Sequence, residues 1–322
     1  MAHFARLALS INAAALLAAC GGSQPVIGAP GVVPQTRATV THAEHGGSWM
    51  LPEAKRDDLL YLSTTTTTYV VSYPQGKLVG EIAEGGFYLC TDKAGDIFLT
   101  QYSAAKDILE YAHGGTTPIA TIDTAGPPWG CSVDPVTGDL AVAIPDVAGL
   151  YHGELAIYKN ARGRPRVLSD SAIMYIFFCR YDPSGNLFID GTPAYGQYFA
   201  ELPRDGKTIT NLLLNGKFYP DSDIEWDGSY VAVADGFAGA VDRISVSGSS
   251  ATVVSTVPLQ HWRFHPAARA VWIRQNRLIT SPGRHDAAAI WHYPQGGEPF
   301  RRLQPRFDQQ QIEGVAVSFG SH

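Results

Sequence analysis

Val70-Val71-Ser72-Tyr73-Pro74-Gln75-Gly76 and Ile290-Trp291-His292-Tyr293-Pro294-Gln295-Gly296 share one pattern, a run of strand-forming residues that ends in a Gly-bearing turn. Four more copies lie between them: Ile108-Leu109-Glu110-Tyr111-Ala112-His113-Gly114, Ile157-Tyr158-Lys159-Asn160-Ala161-Arg162-Gly163, Phe199-Ala200-Glu201-Leu202-Pro203-Arg204-Asp205-Gly206 and Ile244-Ser245-Val246-Ser247-Gly248. β-Branched and aromatic residues suit a pleated, half-buried surface, and Gly supplies the positive φ that tight hairpin turns require. The closing glycines step by 38, 49, 43, 42 and 48 residues. A unit of that length holds about four short strands and cannot bury its apolar face alone, so the copies must pack on one another.

A second pattern precedes several of these copies. It reads Cys90-Thr91-Asp92-Lys93-Ala94-Gly95-Asp96-Ile97-Phe98, then Cys131-Ser132-Val133-Asp134-Pro135-Val136-Thr137-Gly138-Asp139-Leu140, then Cys179-Arg180-Tyr181-Asp182-Pro183-Ser184-Gly185-Asn186-Leu187-Phe188. A shortened form is Glu225-Trp226-Asp227-Gly228-Ser229-Tyr230-Val231-Ala232-Val233. Each is a strand, an Asp-initiated turn and a second strand, with the Asp carboxylate placed to accept hydrogen bonds from the turn backbone. Joined, the two patterns predict an all-β fold over residues 49–322, a six-bladed β-propeller of four-stranded antiparallel blades. Ile312 to Ser318 reads as an inner strand without the rest of its blade, and Asp57 to Ile82 as a blade without its inner strand. The C-terminal strand is thus expected to close the ring and remove its open edges. Ala104 to His113 and Pro266 to Leu278 have helix-like periodicity, but the repeat register assigns both to blades.

Composition agrees with this architecture. The 322 residues are 45% hydrophobic and 17% charged, which suits a packed core, while 33 Gly and 21 Pro make turns frequent and long helices unfavourable. With 24 Lys and Arg against 30 Asp and Glu the formal charge is −6, and no basic run exceeds two residues, so a nucleic-acid groove is excluded. The sequence has no GxSxG elbow, no CxxC, no Walker loop and no dinucleotide fingerprint. No catalytic residue, metal ligand set or cofactor is therefore assigned, and the chain reads as a monomer that acts by binding.

Met1 to Arg6, the apolar stretch Leu7 to Ala19 and the tetrad Leu17-Ala18-Ala19-Cys20 resemble a bacterial lipoprotein signal peptide with its lipobox. The apolar stretch is too short to span a bilayer as a mature helix but suits a signal peptide. The resemblance implies a signal over residues 1–20, lipid attachment at Cys20 and a membrane partner reached through that anchor. Because Gly21 rather than Asp follows the Cys, it also implies the outer membrane of a two-membrane cell envelope, facing periplasm or exterior. Residues 21–48, rich in Gly, Pro, Thr and Ala, read as a tether. His42-Ala43-Glu44-His45 within it lacks the HExxH spacing and reads as linker, not metal site.

The turn Asp182-Pro183-Ser184-Gly185-Asn186-Leu187-Phe188-Ile189 and the stretch Val233-Ala234-Asp235 resemble the NHL-type and gluconolactonase-like six-bladed propellers over roughly residues 57–319. WD-repeat propellers fit less well, since Trp226-Asp227 is the sole such dipeptide and falls in the wrong turn; Asp134 to Gly138 matches the quinoprotein-type motif once, without its Trp. The resemblance implies two alternatives. One is an interaction scaffold for an envelope protein or glycan. The other is a metal-dependent lactonase, hydrolase or lyase of the gluconolactonase or streptogramin-lyase type. Lactonase relatives hold a divalent ion with Glu, Asn and Asp; Asp190 and Asp235 match the Asp, whereas a mouth Asn or Glu is missing. Lyase relatives use His and Glu, for which His261, His265 and His285 are the candidates, with Arg284-His285-Asp286 suited to an anion.

In a propeller, the loop into each inner strand and the loop after the second strand reach the same mouth. Here the first set supplies Phe87, Tyr88, Trp129, Tyr175, Phe177, Tyr219 and Trp262, and the second supplies Asp146, Asp190, Asp235 and Arg284. Aromatic walls with carboxylates at the rim suit a sugar-like or aromatic ligand. The ligand set expected is Tyr88, Trp129, Asp146, Tyr175, Asp190, Asp235, Trp262 and Arg284, although aromatics between blades and Asp residues in turns serve packing equally well. Finally, Cys90, Cys131 and Cys179 fall at matching places on successive inner strands. Neighbouring blades are expected to hold them beyond the ~7 Å limit for a bridge, leaving three buried free thiols.

Overall fold

The computed structural model describes residues 47–101, 107–147, 149, 151–193, 196–218, 223–262, 270–281, 288–303 and 311–320. The lipobox with Cys20, most of the tether, Tyr219, His265 and Arg284-His285-Asp286 lie outside these residues.

The repeat that the sequence spells out becomes six separate sheets. Blade two runs Tyr88–Thr91, Ile97–Gln101, Asp107–Tyr111 and Pro118–Asp123; blade three runs Cys131–Val133, Leu140–Ile144, Glu154–Tyr158 and Arg166–Leu168. Blade four is Tyr175–Tyr181, Leu187–Thr192, Tyr198–Leu202 and Thr210–Asn211, and blade six is Val271–Arg274, Arg277–Thr280, Ala288–His292 and Arg301–Leu303. Blade five has Ile224–Trp226, Val231–Asp235, Ala240–Ser247 and Ser250–Pro258, with an added strand, Leu213–Asn215, laid parallel to the last of these. Every other pairing between strands is antiparallel. The fold is a six-bladed β-propeller.

The ring closes as the two incomplete ends of the repeat require. Blade one takes Leu59–Ser63, Thr68–Ser72 and Leu78–Ile82 from the front of the chain and its inner strand, Gly314–Ser318, from the back. Leu59 pairs with Ser318 and Ser63 with Gly314, so the two ends are joined by one antiparallel ladder. Gly314 is required by close approach: a Cβ there would lie 2.6 Å from the Ser63 hydroxyl oxygen. Trp49–Met50 adds a fifth, outermost strand to the same blade.

The Asp-initiated turns work as their side-chain chemistry predicts. Asp92 accepts from the Ala94 and Asp96 amides, Asp134 from Val136, Asp182 from Ser184 and Asn186, and Asp227 from Ser229 and Tyr230. Each turn delivers the chain from an inner strand to a second strand whose residues alternate between the two faces of the blade. In blade three Leu140, Val142 and Ile144 enter one apolar cluster while Ala141 and Ala143 enter another. The gaps between blades one and two, three and four, and five and six carry clusters of their own; the remaining three gaps merge into a single larger core.

The cysteine expectation is corrected. Cys90 and Cys131 form a disulfide with Cα atoms 5.7 Å apart, and only Cys179 stays a buried free thiol. The three positions are not equivalent, because Cys90 precedes its turn Asp by two residues, whereas Cys131 and Cys179 precede theirs by three. A one-residue offset in a strand turns a side chain to the opposite face. Cys90 therefore faces forward from blade two and Cys131 backward from blade three, and near the ring axis the inner strands converge within bridging distance. Ser132 holds the Cys90-like place in blade three, and there its hydroxyl accepts the Tyr181 amide of blade four. With the two cysteines 41 positions apart, closing the loop contributes about 4 kcal/mol on chain-entropy grounds.

Candidate functional site

At the mouth formed by the entry loops of blades two, three and four, aromatic rings make a continuous row. Phe87 meets Trp129 with centroids 5.1 Å apart, and Trp129 meets Phe177 at 5.6 Å. Phe177 stacks on Tyr175 at 5.7 Å, and Tyr175 takes the edge of Tyr151 at 5.9 Å. Backbone contacts fix the spacing. The Thr100 hydroxyl donates to the Trp129 carbonyl at 2.7 Å, and the Gly130 amide donates to the Phe177 carbonyl at 2.9 Å. A Cβ at Gly130 would fall 2.8 Å from that carbonyl oxygen, so only glycine lets the two loops approach so closely. Phe87, Trp129, Tyr175 and Phe177 are half-buried, while Tyr151 is 61% exposed. Tyr151 also sits at φ 54°, a left-handed conformation that costs a tyrosine of order 1 kcal/mol and marks the loop as one whose shape is specified.

Trp129 and Tyr175 are thus brought together, and Phe177 between them is what joins them. Asp146 lies in the loop that carries Tyr151 and accepts the His152 amide at 3.4 Å. The other expected ligand residues have different places. Asp190, on the second strand of blade four, is wholly buried between Phe178 and Phe199 in register. Asp235 ends the second strand of blade five and accepts the Ala238 amide at 2.9 Å. Trp262 is 2% exposed and belongs to the apolar cluster between blades five and six, so it packs rather than lines the mouth. His261 is exposed and pairs with the Glu298 carboxylate at 2.9 Å. Among the described residues no three His, Cys, Asp or Glu side chains gather as a metal site.

Tyr88 has a role the sequence conceals. Its hydroxyl donates to Asp223 Oδ1 at 2.6 Å, from the inner strand of blade two to the start of blade five, which lies opposite in a ring of six. This bond crosses the axis. Asp223 Oδ2 accepts the Val271 amide of blade six at 2.7 Å, and the Tyr88 ring packs edge-on against Phe178 of blade four at 5.4 Å. Further along the inner strands Arg180 of blade four pairs with Glu225 of blade five. Neither pair has a local signature, because each partner comes from a different repeat.

Burial dominates the titration of this centre. Asp223 is pushed up to about 7 by desolvation, against the opposing effects of the Tyr88 hydrogen bond, the Val271 amide and Arg180. A carboxyl whose folded value exceeds its unfolded value of about 3.9 binds its proton more tightly when folded. Its stabilising contribution is complete below about pH 4 and is lost as pH rises to about 7. Asp223→Asn, which keeps an acceptor for Val271 and offers Tyr88 a donor, is expected to flatten that fall. Urea midpoints of the two proteins from pH 4 to 8 check this, and parallel curves would refute it.

No protein-family model and no curated protein matches the sequence. Solved structures do. A chain in a crystal structure of a nidogen/laminin complex superposes with a TM-score of 0.65 at 15% identity, covering 82% of this chain and 100% of that one. A protein of unknown function from Bacteroides caccae gives 0.60 at 14% identity, and a functionally unknown protein from Desulfotomaculum acetoxidans 0.55 at 11%. Each covers 82% of this chain and is itself covered to 99%. What they share with it is the ring.

Proposed function

We propose that this propeller is a binding scaffold of the bacterial cell envelope, lipid-anchored through Cys20, which grips an envelope protein or glycan with the row Phe87, Trp129, Phe177, Tyr175 and Tyr151. The row carries the reading: five rings in contact, partly open to solvent, give flat apolar faces of the kind that sugar rings and aromatic side chains stack on. Asp146 at the Tyr151 end offers a carboxylate to a ligand hydroxyl. The Cys90–Cys131 disulfide supports an address outside the reducing cytosol. One similar ring comes from a nidogen/laminin complex, where it belongs to a protein–protein assembly. Kinship with the NHL and gluconolactonase-like rings is part of this reading and rests on the Asp182 to Ile189 turn.

The test measures binding of the full chain to peptidoglycan fragments, envelope saccharides and envelope proteins, with Trp129→Ala beside it. Loss of affinity by at least about tenfold, with an unchanged melt, is expected of a central aromatic anchor. If Trp129→Ala binds normally, or loses binding only by unfolding, the row is interblade packing. Cys20→Ser is expected to release the protein from membranes without altering that affinity.

A further inference from the structure

A second site emerges from comparing two gaps of the same ring. In blade two, Glu110 on the third strand pairs in register with Phe98 on the second; in blade four, Glu201 pairs with Phe188 in the same way. Both phenylalanines stand six residues after their turn Asp, Asp92 and Asp182, so the two carboxylates occupy equivalent places facing the next blade. Over Glu110 the next blade supplies a cation. Arg162, in the hairpin of blade three, holds both Glu110 oxygens, with Nη1 on Oε2 and Nη2 on Oε1.

Over Glu201 the next blade supplies none. The hairpin of blade five is two residues shorter and reads Ile244-Ser245-Val246-Ser247-Gly248 where blade three has Ile157-Tyr158-Lys159-Asn160-Ala161-Arg162-Gly163. Where the guanidinium would lie there is instead a cavity of about 250 Å³, lined by Glu201, Asp182, Trp226, Ser229, Val246 and Gly248. The neighbouring arginines are committed elsewhere, Arg204 to the Ser184 carbonyl and Arg243 to Asp227. Asp182 is spent on its own turn. The Glu201 carboxylate makes no hydrogen bond or ion pair among the described residues, and burial together with Asp182 raises its pKa, the signature of a carboxylate short of a cation. The buried indole Nε1 of Trp226, stacked on Phe188, has no acceptor.

We propose that this cleft between blades four and five is a receptor for a guanidinium group, an arginine side chain presented by a partner polypeptide. The guanidinium takes the place over Glu201 that Arg162 takes over Glu110, beside the Trp226 ring that lines the same cavity. Bidentate pairing of this type favours arginine over lysine, whose ammonium cannot span both carboxylate oxygens. The site lies at the end of the ring that carries the Asp-initiated turns, opposite the aromatic row, and stands or falls independently of it.

Nα-acetyl-arginine methylamide, titrated into the full chain by calorimetry and by NMR of the indole N–H signals, is the probe. Saturable binding that shifts one indole signal is expected, with weaker binding of the lysine analogue and none of the neutral citrulline analogue. Glu201→Gln is expected to weaken the arginine probe about tenfold or more. Val246→Arg, which introduces a guanidinium from the chain itself, is expected to abolish probe binding while melting no lower than the natural protein. Absence of saturation up to the solubility of the probe, equal binding of the citrulline analogue, or undiminished binding by Glu201→Gln would each overturn the proposal.

Discussion

A chain ended at Gln311 is expected to lose the single cooperative melt of the ring. Gly314–Ser318 is buried throughout and supplies the inner strand of a blade whose other strands come from the opposite end of the chain. It also ties blade one to blade two. Ser318 donates to the Gly95 carbonyl at 2.6 Å and pairs with the His113 ring, and Thr91 reaches the Val317 carbonyl. Burying Val315, Ala316 and Val317 is worth about 5 kcal/mol, comparable with the whole net stability of an ordinary domain, about 5–15 kcal/mol. Removing the strand also bares the ladder edge of Leu59–Ser63 and the core beneath it. Denaturation and hydrogen exchange of the truncated chain check this, and a synthetic 309–322 peptide should restore the melt. A truncated protein that melts like the full one would show that the strand is an accessory.

The second large effect is expected at Arg180. Its partner Glu225 has a side chain only 5% exposed, and Asp223, wholly buried, lies just before the same inner strand. Arg180→Met strands one buried carboxylate and removes the cation that opposes the rise in Asp223, so a loss of about 3–5 kcal/mol is expected. Joining it to Glu225→Met replaces the pair by apolar groups and should recover most of the loss, since a well-packed apolar pair is often as stable as a buried ion pair. Urea denaturation of the two single variants and the double variant measures the coupling. Simple addition of the two losses would show that the side chains do not depend on each other.

Most of the architecture was readable because a propeller writes each blade in local terms. The Gly-ended hairpins and Asp turns are short-range signals, and their recurrence fixed both the number of blades and the two half-blades that meet at Leu59–Ser63 and Gly314–Ser318. The disulfide was missed, because the repeat alone makes the three cysteines look equivalent; the distances from Cys90 and Cys131 to their turn aspartates carry the signal, since strand parity decides which face a side chain takes. Contacts that cross the ring leave no such trace. Nothing near Asp223 announces that its partner is Tyr88, and nothing near Arg180 points to Glu225. Such pairs depend on which repeats curvature brings face to face, and that is known only once the ring is built.

The joint in blade one also sets a timetable. Leu59–Ser63 is among the first of the ring's strands to leave the ribosome and Gly314–Ser318 is the last, so the ladder between them cannot form until the rest of the propeller has been synthesised. Blades made in between can pair internally as they emerge, each from contiguous residues, but the circle stays an open arc until Gly314–Ser318 has emerged. Closure of the ring is therefore a late step, which occurs only after translation has run past Ser318.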